Sequence, residues 1–232
     1  KPPSHPSTAI GISRHQAGNC SMISTILFIT SPSEMISSCT VPRTSIPSSH
    51  IRSIASAITS RAEPWVIDRS HAHITFQADH LGFSVVHGVF TEYDADILFD
   101  PENIDATEVS FTIAADSVNT FWERRDEHIR SADFLNVSEH PEITFVSTAI
   151  EQTGENTAKL TGDLTLIGET REVTFDVTLN KLGPNPFNET PIAGFTATGE
   201  IRRADFGMDY GGDSFAAVIP VRIDIEINPA EG

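Results

Sequence analysis

Two imidazoles stand two residues apart at His71 and His73, a spacing that puts both on one face of a strand and suits metal ligation. His80 and His87 could approach from the next turn. His80 has the opposite parity, however, and neither a paired carboxylate nor a cysteine spacing completes a coordination shell, so no metal ligands are expected. Asp126 and His128 could exchange a proton, but no nucleophile accompanies them. There is no G-x-S-x-G elbow, and the serines nearest a histidine, Ser70, Ser131 and Ser138, sit in turn or loop contexts. Gly211-Gly212 lacks the lysine and the strand-to-helix setting of a phosphate loop. No catalytic residue and no cofactor are therefore expected, while a metal- or cofactor-assisted enzyme using His71, His73 and His128 stays open as the rival reading.

A second concentration of reactive side chains runs from Thr120 to Phe145, TFWERRDEHIRSADFLNVSEHPEITF. Phe121, Trp122, Ile129, Phe134 and Leu135 alternate with Arg124, Arg125, Asp126, His128, Arg130 and Asp133, so one side can pack while an ionic side stays wet. Aromatic rings supply apolar area and arginine a forked donor, which together suit a ligand with a polar head. The same residues suit a short amphipathic helix that plugs the end of a barrel and is fixed by ion pairs. Spacing does not separate lid from plug.

The elements that must hold these groups follow a period of two. Ile74, Phe76, Ala78 and His80 share one face of a first strand. The same alternation recurs within Val85–Phe99 and at Val109–Ile113, Ile143–Phe145, Leu160–Leu166, Val173–Leu179, Phe195–Ile201 and Val221–Ile227, which makes about eight strands. Asp100-Pro101-Glu102-Asn103, Gly168-Glu169-Thr170 and Gly183-Pro184-Asn185-Pro186 are turn signals between them. Short connections between one-faced strands predict an all-β fold: a closed antiparallel barrel of eight strands, with short helical segments in the connection after the third. A two-sheet sandwich is the alternative. Phe76, Phe111, Phe145, Phe175 and Phe195 fall on the apolar face of five different strands, where they either line a cavity or fill the interior.

Residue usage changes near Glu63. Residues 1–62 carry five basic residues and one acid, a net charge of +4; the remainder carries ten basic and thirty-one acidic residues, a net charge of −21. An acidic surface disfavours nucleic acid and anionic membranes. Both cysteines, Cys20 and Cys39, lie in the first part. Its one compact apolar run, Met22–Ile29, is too short to span a bilayer, so no stable membrane insertion is expected. Residues 1–62 are expected to be a disordered leader, non-native or a degraded export signal, and 63–232 the folded domain.

Several short motifs then accumulate in order: Trp65-Val66-Ile67-Asp68, Ser70-His71, Gly88-x-Phe90, Arg125-Asp126-x-His128-Ile129-Arg130-Ser131-x-Asp133-Phe134, His140-Pro141-x-Ile143-x-Phe145-x-Ser147 and Arg203-x-Asp205-Phe206-Gly207-Met208. Their order and spacing over about residues 63–229 resemble the YceI-like family. The resemblance implies a lipocalin-like barrel that binds a long isoprenoid lipid, polyprenyl or isoprenoid-quinone in type, as a non-enzymatic carrier or reservoir. It implies an apolar lumen lined by Phe76, Phe111, Phe145, Leu164, Phe175 and Phe195. The mouth would be formed by Phe121, Trp122, Arg125, Asp126, His128 and Arg130. It also implies a periplasmic protein, with a cytoplasmic one as the alternative, and leaves open a homodimer or an interaction module with a filled barrel.

Overall fold

The computed structural model describes residues 62–212 and 215–230. The leader expected over 1–62 lies outside them apart from residue 62. Among these residues the strands are β1 (Glu63–Ile67), β2 (His73–His80), β3 (Ser84–Phe90), β4 (Tyr93–Phe99), β5 (Glu108–Ala114), β6 (Val118–Asn119), β7 (Glu142–Gln152), β8 (Thr157–Leu166), β9 (Glu169–Pro184), β10 (Pro191–Arg202) and β11 (Val218–Pro229), with one α-helix, α1 (Glu123–Arg130). β1 pairs with β4 and β2 with β3, so the segments on either side of the 3-10 turn Arg69–His71 are two halves of one bent barrel strand. β3 with β4, and β5 with β6, are likewise halves of single strands. Counted this way the sheet has eight positions in up-and-down order, each antiparallel to its neighbours. The pairing of β1 with β11, Trp65 opposite Pro229 and Ile67 opposite Ile227, closes it. Closure leaves no row of unpaired backbone groups for another chain to join.

α1 occupies the connection after the third barrel strand. It begins after Phe121, which holds φ at +66°, and ends where Ser131 N–H donates to His128 O at 3.1 Å. The outward faces are polar and paired across strands, as in Lys159 with Asp176 (2.9 Å) and Thr161 with Thr174 (3.0 Å). The inward faces are almost wholly apolar. In β7 the inward parity changes after a register shift between Ser147 and Ala149, so that Phe145 and Ile150 both face in.

The floor of the barrel is packed around Trp65, Ile97, Phe99, Ala193 and Ile227. Trp65 meets Phe99 edge-on at 5.3 Å between ring centroids, and Phe99 meets Phe195 in the same way at 5.4 Å. Connections β2–β3, β6–β7 and β10–β11 gather at the opposite end, the mouth.

Candidate functional site

Alternate residues of every barrel strand point into a cavity of about 390 Å³. On β11 alone, Ile219, Val221, Ile223, Ile225 and Ile227 line it. Eight residue steps at roughly 3.3 Å, tilted as barrel strands are, give a lumen about 20 Å deep. Phe76, Phe111, Phe145, Leu164, Phe175 and Phe195 all face this space.

The rings leave room because neighbouring strands offer them glycine. A Cβ on Gly88 would stand 2.2 Å from Phe76 Cζ, one on Gly162 2.5 Å from Phe145 Cζ, and one on Gly199 2.6 Å from Phe175 Cδ1. Each ring therefore lies on bare backbone beside the wall instead of crossing the lumen. Phe145 and Phe175 brace each other edge-on at 5.6 Å. The choice between a filled and a hollow interior is decided by these three glycines, which share the inward parity of their strands.

At the mouth, Asp126 is buried at 3 % exposure. Its Oδ1 accepts the Thr120 N–H at 2.8 Å and the Thr120 hydroxyl. Arg125 reaches back to the same residue, Nε to Thr120 Oγ1 at 2.6 Å and Nη2 to Thr120 O at 2.5 Å. Arg130 donates to Asp116 O and Val118 O, both at 2.8 Å. These bonds lash α1 to the end of β6. Arg125 and His128 line the lumen; Asp126 and Arg130 act through the lashing, and Phe121 and Trp122 turn outward to solvent. The mouth set anticipated from sequence thus divides into two lining residues, two braces and two exposed rings. The T-shaped contacts of His128 with Phe134 and Tyr210, both at 5.0 Å, join α1 to the β10–β11 connection, while His128 Nε2 meets Asp133 Oδ2 at 2.8 Å.

Arg203 was not singled out by spacing, although it opens one of the motifs above. It is only 6 % exposed, lines the lumen and lies 5.4 Å from the Phe134 ring. Nη1 donates to Ala216 O, and Nη2 to Met208 O and Tyr210 O, so it anchors the β10–β11 connection over the mouth. Nε has no hydrogen-bond partner among the described residues. Burial lowers the guanidinium pKa, and the nearby Asp209 opposes that shift.

The histidines of the rival reading are dispersed. His71 Nδ1 meets Asp68 Oδ2 at 2.8 Å and Glu226 Oε2 at 3.6 Å. These three residues can place ligand atoms within 4.8 Å of one another. Hydrogen bonds from the Ser70 hydroxyl, His71 and the Ser70 N–H bring the Asp68 carboxyl down to about 2, and Asp68, followed by Glu226, raises the His71 imidazole. Asp68 also caps the turn Arg69–His71 through the Ser70 N–H, so the cluster has a structural task. His73 lies on an outward face, and His128 belongs to the mouth.

An antiparallel barrel of eight strands around a deep apolar lumen, with a helix lashed over one end, defines a lipocalin-like architecture. The YceI-like domain profile matches residues 65–228, and the chain belongs to that family. It is 41 % identical over 157 residues to a UPF0312 protein of Pseudomonas putida strain W619, covering 67 % of this chain and 81 % of the relative. Among solved structures it resembles the Campylobacter jejuni YCEI protein, with a TM-score of 0.61 and 30 % identity over 66 % of this chain and 90 % of that one. It also resembles a polyisoprenoid binding domain from Saccharophagus degradans, with a TM-score of 0.52 and 13 % identity over 71 % and 98 %, a likeness of fold.

Proposed function

We propose that this protein binds a long-chain isoprenoid lipid, of polyprenyl or isoprenoid-quinone type, in its lumen and serves as a non-enzymatic carrier or reservoir. The observation that carries the proposal is a lumen kept open by laying Phe76, Phe145 and Phe175 on glycine while every strand contributes hydrocarbon to its wall. Burial of an apolar tail there is worth roughly 0.8 kcal/mol per CH₂, so several isoprene units outweigh the ordering of a flexible chain. The Saccharophagus degradans domain, described as polyisoprenoid binding, supports the choice of tail. Native mass spectrometry and organic extraction of the purified protein are expected to show a co-purifying prenyl lipid, and Phe111→Asp or Phe145→Asp to lose it. Ligand-free protein with no saturable uptake of prenyl lipid would sink the proposal. A periplasmic setting goes with this reading and is checked by cell fractionation.

A further inference from the structure

We infer that the mouth of the barrel is a membrane-docking face, covered by the surface of a lipid bilayer while lipid passes between bilayer and lumen. This inference rests on the lipid-binding reading of the lumen. Register places the residues concerned together. The β2–β3 ladder runs out at His80 opposite Ser84, leaving Leu81, Gly82 and Phe83 as a hairpin tip. Val221 stands opposite Phe76, so β11 begins level with Asp79 and the tip projects past it. On the other side of β3, β6 ends at Asn119 opposite Val89, and the chain continues through Phe121 and Trp122 into α1.

The side chains displayed at this end are the wrong ones for water. Phe83 is 87 % exposed, Phe121 75 % and Trp122 59 %, with Leu81 and Val85 about half exposed beside them. Leu81 and Phe121 hold φ at +57° and +66°, the left-handed region that costs a branched or bulky residue energy, and the side chains so placed stay half exposed or more.

Charge completes the pattern. His80 to Thr91 is the longest run without Asp, Glu, Lys or Arg in a domain that carries thirty-one acidic residues. The occupant is therefore engaged by apolar and aromatic insertion, not by ion pairing. Trp and Phe beside short apolar residues suit the level of lipid headgroups and upper acyl chains. The tip is also continuous with the lumen: Ala78, His80 and Val86 line the cavity from the hairpin that carries Leu81 and Phe83. A water-insoluble tail moving through this end would meet these apolar side chains, with Asp79, His80, Arg125 and His128 beside them for a polar head. With a net charge of −21 on the domain, the favoured surface is zwitterionic.

The test uses the full chain with phosphatidylcholine vesicles brominated in the acyl chains, reading tryptophan emission. Of the two tryptophans only Trp122 is exposed, since Trp65 is buried in the floor, so quenching reports the mouth. Saturable quenching is expected, and the double variant Leu81→Ser with Phe83→Ser is expected to need about tenfold more lipid or greater for the same quenching. Farnesol uptake from cyclodextrin, measured in parallel without vesicles, is expected to be equal in the two proteins. Three results would overturn the inference: no quenching while farnesol is taken up, quenching unchanged in the double variant, or a wild-type dimer that the variant dissociates with no quenching in either. Quenching that the variant loses, with no farnesol uptake by the wild type, would uphold the docking face and remove the lumen's proposed ligand.

Discussion

The two ends of the barrel are made of different materials. At the floor, Trp65, Phe99 and Phe195 interlock edge-on with Ile97, Ala193 and Ile227, hydrocarbon packed on hydrocarbon. At the mouth, buried polar groups add to the packing of Leu135 and Phe206, Asp126 gripping Thr120 and Arg203 holding three carbonyls, while Phe83, Phe121 and Trp122 face solvent. Apolar packing is non-directional and stays shut once dry. A hydrogen-bonded closure can exchange its partners with water or with a ligand head at little net free-energy cost. One end is therefore suited to be a permanent plug, and the other to be an entrance.

The largest test of this contrast is Trp65→Ala, expected to cost about 3–5 kcal/mol in urea unfolding because the floor cannot collapse around the void. At the mouth, Asp126→Ala strands the Thr120 N–H without its acceptor, and about 1–3 kcal/mol is expected in the same measurement. If Asp126→Ala proved the more damaging of the two, the floor would not be the structural plug. Gly88→Ala forces its methyl against the Phe76 ring, so a loss of about 1 kcal/mol and weaker farnesol uptake are expected. Undiminished uptake would show that the ring has another way to leave the lumen open. Phe83→Ser changes an exposed tip and should move the unfolding free energy by no more than about 0.5 kcal/mol.

The smallest expected effect belongs to the Asp68–His71 pair beside β1. The raised His71 pKa makes its contribution full below 6.5 and lost as pH rises through the folded-state value; the lowered Asp68 pKa makes its contribution full above 3.8 and lost as pH falls through about 2. The pair thus helps most between pH 3.8 and 6.5. A fall in unfolding midpoint from pH 6 to pH 8 that His71→Asn abolishes would verify it.

Much of this was legible in the chain. The period of two placed Phe76, Phe111, Phe145, Phe175 and Phe195 on one face of their strands, and that face is the inward one. What spacing concealed was local interruption. The first barrel strand begins at Glu63 and bends at Arg69–His71, upstream of the alternation that starts at Ile74. The run from Val85 to Phe99 is one barrel strand broken between Phe90 and Tyr93. The mouth was less legible, because amphipathic spacing says which side of α1 packs but not what each polar group grips. Asp126 and Arg130 hold the end of β6, and Phe121, thrown outward by its positive φ, is not part of the wall. Arg203 escaped notice because burial of a lone arginine depends on carbonyls that its own connection supplies.

The chain's own pattern dictates strands and how they pair: alternation sets one face of each strand apolar and short turns make neighbours antiparallel, which leaves a barrel or a two-sheet sandwich, and closure hides the edges as well as the apolar face. Only the tertiary structure decided that the barrel is hollow. A phenylalanine on an inward face fills space unless something beside it gives way. The residues that give way, Gly88 for Phe76, Gly162 for Phe145 and Gly199 for Phe175, come from the adjoining strand, so the cavity exists only once register has brought each pair together.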